Sequence, residues 1–211
     1  MENYGVARQT VHNAIASLRT AGLVETRPGF GWFVVDRPPV TRLARTRLSR
    51  EERAAGRGAF LTDAQAGGWT PSVEVTVQVR QTPDPDVAEV LATDLVTVRD
   101  RIMSAGQMVT QLATSYLPTE ITAGTAMERE DSGPGGIYAR LEEAGYTLTS
   151  YTEVVIAREP TDREAELLGV QAGRPVLQIT RHALAGDRIV EVNHITVAGD
   201  RYQLVYSWPA E

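Results

Sequence analysis

Cysteine and lysine are both missing from the 211 residues of the chain, so arginine is its only strongly basic side chain. The absence of cysteine excludes disulfides, thiolate nucleophiles and zinc–thiolate sites, and it is typical of proteins from a reducing compartment. No apolar run approaches the ~18 residues of a membrane-spanning helix, and the N-terminal residues lack the pattern of a secretory signal. We therefore expect a cytoplasmic protein that has no membrane partner.

Charge is distributed unevenly along the chain. The net charge is −6, yet residues 1–60 hold ten arginines against five acidic residues, whereas residues 61–211 hold eleven arginines against 22 acidic residues. A basic segment ahead of an acidic body is typical of a polyanion-binding module attached to a domain that does not bind polyanions. A solvated basic surface without a partner is an equally simple interpretation of the charge alone.

The N-terminal segment has the pattern of a helix followed by a hairpin. Apolar residues recur at helical spacing within residues 8–21, at Val11, Ala14, Ile15 and Leu18. Two short β-patterns follow around a glycine-containing turn. We therefore predict a partial winged helix-turn-helix over residues 1–36, with a recognition helix at 8–21 and a wing at 23–35. Residues 37–54 are predicted to be a linker, because their two consecutive prolines cannot continue a helix or join a sheet.

The remainder, residues 55–211, has the pattern of an α+β domain around an antiparallel sheet. Polar residues alternate with Val73, Val75, Val77 and Val79, as in a half-buried strand. Further strands are predicted at residues 95–103, 108–117, 148–157, 175–183, 189–197 and 202–207, and short helices at 83–92 and 137–144. Thr161 and Glu164 are spaced as a capping box for a helix that ends at Gly169.

Several short motifs in the chain match one bacterial family. A Tyr-Gly-Val turn, a helix opened by Arg and Thr-Val, and a Gly-x-Gly wing follow one another in residues 4–18, 21–25 and 27–34. In this order they closely resemble the winged helix of the GntR family of regulators. The second domain resembles the UTRA effector domain of the HutC-type branch, on short matches at Phe60, Gly68, Arg99, Arg101, Ser115, Tyr116, 158–161, Arg181, Val190, Glu191 and 200–202.

The resemblance implies a ligand-responsive repressor. It implies a homodimer that binds a palindromic operator in double-stranded DNA, a chorismate lyase-like UTRA fold, a small-molecule effector and no cofactor. The sequence departs from the family in two places. The family's winged helix begins with a further helix before the Tyr-Gly-Val turn, whereas here Met1 stands three residues before Tyr4, so we expect a partial DNA-binding domain. Ala7 also replaces the serine that usually caps the recognition helix.

The candidate DNA-binding residues lie on the predicted recognition helix and wing. A recognition helix enters the major groove, where arginine reads guanine, glutamine and asparagine read adenine, and hydroxyl or backbone N–H groups bind phosphate. Wing glycines allow a close approach to the minor groove. The predicted residues are Arg8, Gln9, Thr10, His12, Asn13, Arg27, Gly29 and Gly31. Taken one at a time, each is also an ordinary solvated side chain.

The candidate effector site combines strand faces with the family resemblance. Side chains two residues apart share one face of a strand, so a group of polar side chains on adjacent strands is expected to converge. Guanidinium, amide, hydroxyl and carboxylate groups together suit a small polar or anionic metabolite. The predicted residues are Phe60, Arg99, Arg101, Gln111, Ser115, Glu191 and Asn193. The alternative is a set of ion pairs on a sheet face.

Two other functions are open at this point. An enzyme like chorismate lyase would share the fold, but His12, His182 and His194 are scattered, and we find no catalytic triad, metal-ligand spacing or nucleotide motif. We therefore predict no catalytic and no metal-binding residues. A truncated antagonist that does not bind DNA, or a plain effector-binding protein, would also fit the partial first domain.

Overall fold

The computed structural model describes residues 5–20, 24–27, 29–34, 40–43, 48–49, 51, 58–170, 173–208 and 210. Contacts within the chain divide it into two units, Met1–Pro38 and Pro39–Glu211. No helix in the described ranges is long and apolar enough to cross a membrane.

The first unit contains one helix and one hairpin among its described residues. Helix α1 (Arg8–Thr20) is followed by strands β1 (Val24–Arg27) and β2 (Gly31–Val34), which pair antiparallel. Gly29 and Gly31 at the turn have φ of +79° and +101°, a left-handed conformation that side chains with a Cβ rarely adopt. The helix and both strands lie where the sequence predicts the recognition helix and wing.

The second unit is an α+β domain. Its helices are α2 (Ala59–Ala66), α3 (Pro85–Leu91), α4 (Thr119–Thr122), α5 (Gly136–Glu143) and α6 (Asp162–Leu168), with a 3-10 helix at Ala126–Glu128. Its strands are β3 (Val40–Leu43), β4 (Pro71–Gln81), β5 (Val96–Ala105), β6 (Met108–Pro118), β7 (Ser150–Arg158), β8 (Val176–Ala185), β9 (Arg188–Ala198) and β10 (Tyr202–Val205).

Six of these strands form one antiparallel sheet in the order β4-β5-β6-β9-β8-β7. Hairpins join β5 to β6 and β8 to β9, so neighbours in sequence are neighbours in the sheet. The predicted fold class is therefore confirmed for the second domain. Each predicted strand between residues 73 and 205 has its counterpart within a few residues.

Helices cover both faces of this sheet. On the face called here the inner face, Phe60 of α2 packs with Met103 and Ile195, while Leu141 of α5 packs with Leu117. The opposite, outer face packs against the side chains of α3 and α6, through Val87, Leu91 and Leu168. The candidate effector residues of the strands lie on the inner face, because they alternate along each strand with residues whose side chains lie on the outer face.

The predicted capping box of α6 is present. The backbone N–H of Glu164 donates to Thr161 Oγ1 at 3.3 Å, and the backbone N–H of Thr161 donates to Glu164 Oε2 at 2.9 Å. Gly169 ends the helix in the left-handed conformation, with φ of +58°.

The predicted linker is wrong at residues 40–43. These residues form β3, which pairs in parallel with β10 and belongs to the second unit, so that unit begins well before residue 55. The physical reason is an alternation of buried and exposed positions in which Val40 and Arg42 are both buried. A buried arginine does not count as apolar in a sequence pattern, so the alternation is hidden by the arginine-rich composition of this segment.

Candidate functional site

A cavity of about 310 Å³ lies on the inner face of the sheet. Its walls come from the middle strands, from α2, and from the segment 130–136 that leads into α5. Six of the seven predicted effector residues line it, namely Phe60, Arg99, Arg101, Gln111, Glu191 and Asn193. The seventh, Ser115, hydrogen-bonds to two of the lining residues.

Strand register explains why these side chains meet. Arg99 pairs with Ser115, Ser115 with Asn193, Asn193 with Arg181, and Arg181 with Glu153, so one polar row crosses five strands of the sheet. Directly paired residues in an antiparallel sheet have Cβ atoms ~5 Å apart on the same face. The sheet therefore brings together residues that are far apart in sequence.

The centre of the cavity wall is a chain of hydrogen bonds. Arg101 Nη2 donates to Ser115 Oγ and also, at 3.3 Å, to Asn193 Oδ1. Ser115 Oγ donates to Glu191 Oε1 at 2.5 Å, and Tyr138 Oη donates to Glu191 Oε2 at 2.6 Å. Both carboxylate oxygens of this fully buried glutamate thus have a hydroxyl donor. Such a network fixes the orientation of Arg101 at the cavity surface.

Electrostatics keep the members of this network in defined protonation states. Burial and the neighbouring Glu191 carboxylate raise the pKa of Tyr138, so its hydroxyl stays protonated and donates. Burial lowers the pKa of Arg101, while Glu191 acts in the opposite direction. The Nε of Arg101 is buried and has no hydrogen-bond partner among the described residues.

Arg99 uses its guanidinium differently from Arg101. Its Nη1 donates to the carbonyl oxygens of Met127 and Arg129 at 2.6 and 2.5 Å, and its Nη2 donates to that of Glu130 at 3.0 Å. Burial, followed by the like charge of Arg101, lowers the pKa of Arg99 to about 10. Arg99 therefore holds the chain segment that enters the cavity rim, and its predicted contact with an effector stays a prediction.

Two predicted residues of the cavity wall lie beside Met103. Phe60 is buried in the core beside Met103. Gln111 Nε2 donates to Met103 Sδ at 2.7 Å, and Gln111 Oε1 accepts a hydrogen bond from Tyr202 Oη at 3.2 Å. The amide of Gln111 is thus already bonded within the protein.

The structure adds residues to the site that were not predicted there. Tyr138 and Arg181 line the cavity, as do Ser132, Gly133, Gly135 and Gly136. Arg181 is one of the residues on which the resemblance to the UTRA domain rests. Because it pairs with Asn193 on the neighbouring strand, its side chain lies on the inner face of the sheet. Tyr138 lies on α5, and no spacing rule relates a helix residue to a strand face that it meets only in the folded chain.

The predicted DNA-binding residues are placed within the first unit. Side chains of Arg8, Gln9, Thr10, His12 and Asn13 are all exposed on α1. Gln9 Nε2 donates to Asn13 Oδ1 at 2.9 Å, and the ring of His12 meets that of Trp32 on β2 edge to face at 5.4 Å. Gly29 and Gly31 lie at the hairpin tip, and Arg27 ends β1, its side chain lying outside the described atoms.

A cavity lined with buried charges, in a domain that follows a helix and hairpin unit, fits the class of ligand-responsive transcriptional regulators, and similarity to known proteins establishes that class. The family model of the UTRA domain matches residues 66–203. An HTH-type transcriptional regulator of Streptomyces coelicolor is 31% identical over 96% of this chain and 79% of its own length. The chain therefore belongs to the GntR family of transcriptional regulators, in the HutC-type branch that carries a UTRA domain.

Two further relatives agree with this assignment. The HTH-type transcriptional repressor NagR of Bacillus subtilis is 26% identical over 97% of this chain and 81% of its own length. The crystal structure of PhnF from Mycobacterium smegmatis matches with a TM-score of 0.68 at 26% identity, covering 100% of this chain and 88% of that chain. These relatives are transcriptional regulators and not enzymes.

Proposed function

We propose that this protein is a cytoplasmic, homodimeric repressor. Its helix α1 and the β1–β2 hairpin would bind a palindromic operator in double-stranded DNA, and its cavity would bind a small anionic metabolite that changes operator affinity. The observation that carries the proposal is the network around Arg101, in which a guanidinium that lines the cavity is oriented by Ser115 and Asn193. NagR and PhnF, both named as repressors, support the sign of regulation.

The guanidinium groups of the cavity wall support an anionic ligand. Arg99, Arg101 and Arg181 line the cavity, together with the buried Glu191 and the exposed Glu130 and Asp131. Hydrogen bonds from guanidinium groups to carboxylate or phosphate oxygens are short and about twice as strong as neutral ones. An anion in the cavity would therefore gain most from the guanidinium groups that line it.

The exposed side chains of α1 support the DNA contact. Arg8 lies in the first turn, at the end of the recognition helix that meets base edges in a helix-turn-helix, and Gln9 and Asn13 are hydrogen-bonded one turn apart. Two such helices in a dimer would reach half-sites about one DNA turn apart. An effector would act by favouring one arrangement of the dimer, since a ligand with equal affinity for both states shifts nothing.

DNA binding is tested by fluorescence anisotropy of the full chain on its own promoter region at about 50 mM and about 200 mM salt. We expect a steep loss of affinity with salt. Arg8→Ala should weaken binding by ~1–3 kcal/mol, because it removes a base or phosphate contact. Arg163→Ala, an exposed arginine of α6, is the matched control and should bind like the parent. Equal binding by the Arg8 variant would remove that residue from the interface.

Effector binding is tested separately by thermal shift with a panel of small carboxylates and phosphate esters, beginning with inorganic phosphate. A ligand at 100 times its Kd stabilises the native state by ~2.7 kcal/mol, which shifts the Tm measurably. Arg101→Met should abolish the shift, and Arg158→Met on the outer face should retain it. A shift that persists in Arg101→Met would place the ligand elsewhere.

A further inference from the structure

A continuous chain of polar contacts leads from the cavity to strand β3. It begins at Glu191, passes through Tyr138 and Arg181 to Glu153 on the edge strand β7, and ends at Arg42 on β3. Strand β3 begins two residues after Pro38, the last residue of the first unit. The chain of contacts therefore reaches the strand that continues directly from the DNA-binding segment.

At the cavity end, Arg181 stands between two partners. Its Nη1 donates to Tyr138 Oη at 3.3 Å and its Nε donates to Glu153 Oε1 at 2.7 Å. Its Nη2 is buried and has no hydrogen-bond partner among the described residues, although the side chain lines the cavity. Burial lowers the pKa of Arg181, but Tyr138 and Glu153 more than offset this, so the guanidinium stays charged.

At the other end, Glu153 is shared by two arginines. Its Oε1 accepts hydrogen bonds from both Arg181 and Arg42, and its Oε2 accepts a second one from Arg42 Nη1 at 3.2 Å. The side chain of Arg42 is completely buried and that of Glu153 is 11% exposed. Burial raises the pKa of Glu153, but the two arginines outweigh it and hold the pKa below its usual value.

We propose that the Arg181–Glu153–Arg42 bridge couples occupancy of the cavity to strand β3. An anion bound in the cavity, which Arg181 lines, places a second negative charge beside the guanidinium that Glu153 binds. Because Glu153 Oε1 is shared, any weakening of its bond to Arg181 changes how strongly it holds Arg42. Little water reaches these groups, so the change is not screened as it would be on the surface. The regulatory meaning of this bridge rests on the proposed function.

The experiment is a double-mutant cycle on the unfolding equilibrium of the full chain, measured with urea. Tyr138→Phe removes the hydroxyl at the cavity end, and Arg42→Lys keeps the charge on β3 but removes the paired N–H groups. Tyr138 and Arg42 share no hydrogen bond within the described part of the chain, so independent sites would give multiplicative effects on the unfolding equilibrium constant. We expect the double variant to depart from the product of the single effects by about threefold or more, as for residues of one network.

The matched control is Tyr138→Phe combined with Arg158→Lys, which alters an arginine–glutamate pair on the outer face. Its effects should multiply to within about twofold. If Arg42→Lys does not fold, Glu153→Gln takes its place in the same cycle.

A second measurement follows hydrogen exchange of the amides in residues 40–43, which pair with β10. Tyr138→Phe should change their protection several-fold, whereas Thr114→Val, which removes a contact to Asp100 on the outer face, should leave it unchanged. Multiplicative effects in the first cycle together with unchanged protection of β3 would overturn the coupling. Neither measurement uses DNA or an effector. A negative result would therefore contradict the coupling without contradicting the proposed function, and a failure to bind DNA or an effector would not contradict the coupling.

Discussion

The two faces of the six-stranded sheet both carry arginine–glutamate pairs, but they use them differently. On the inner face, Glu153 lies between Arg42 and Arg181, whose side chains are 0% and 5% exposed. On the outer face, Arg158 and Glu164 form a pair with side chains that are 29% and 16% exposed. Water can replace a partner on the outer face but hardly on the inner one. An arginine–glutamate contact is therefore a partly exposed pair on the outer face and part of a buried network on the inner face.

The largest difference between the faces should follow removal of Glu153. Glu153→Gln leaves two buried guanidinium groups without their carboxylate, and breaking a buried pair in this way costs ~3–5 kcal/mol. Urea unfolding of the full chain measures the loss. Glu164→Gln, the corresponding change on the outer face, should cost ~1 kcal/mol or less. Equal losses in the two variants would contradict the comparison.

A smaller effect is expected at Glu191. In Glu191→Gln the amide NH2 faces a hydroxyl that donates in the parent, either Ser115 or Tyr138, so one buried hydrogen bond is lost. An unsatisfied buried polar group costs ~1–3 kcal/mol, which urea unfolding detects. Thr114→Val, which removes a half-buried hydroxyl from the other face, serves as the control. A loss no larger than that of the control would mean that the carboxylate network adds no stability.

The smallest effect is a pH dependence on the outer face. The hydrogen bond from Arg158, with help from the capped backbone of Thr161, holds the pKa of Glu164 at about 2. In the unfolded chain the pKa of this carboxyl group is about 4.3. The ion pair therefore stabilises the folded state fully above about pH 4.3, and this stabilisation is lost as the pH falls through about 2. Glu164→Gln keeps the cap but lacks the charge. The stability difference between parent and variant should therefore shrink by ~1 kcal/mol or less between about pH 5 and about pH 2.

Local features of the second domain could be predicted from the sequence. The capping box of Thr161 and Glu164 depends on residues three apart, and the alternation along β4 depends on residues two apart. The alternation of side chains along a strand also predicts that Arg101 lies on the same face as Arg99, and Ser115 on the same face as Gln111. The short hairpin between β5 and β6 sets the register of these two strands.

Features that depend on distant parts of the chain could not be predicted. The partner of β3 is β10, near the other end of the chain, and neither strand shows this in its own residues. The contacts of Arg99 with three carbonyl groups depend on the path of a loop, and an arginine aimed at a backbone has the same sequence signal as one aimed at a ligand. Tyr138 belongs to helix α5, and the periodicity of the sequence does not indicate which residues of distant strands it will contact.

The pairing of β3 with β10 also constrains the order in which the protein is made. Val40 pairs with Tyr202, so β3 waits for its partner until the chain has been synthesised through residue 202 and beyond. Contacts between such distant residues form slowly, because a long stretch of chain must be ordered first. On the ribosome, the six-stranded sheet can assemble before β3 is attached to it. The strand next to the proposed DNA-binding segment is thus expected to be the last of the described strands of the second unit to pair in a newly made chain.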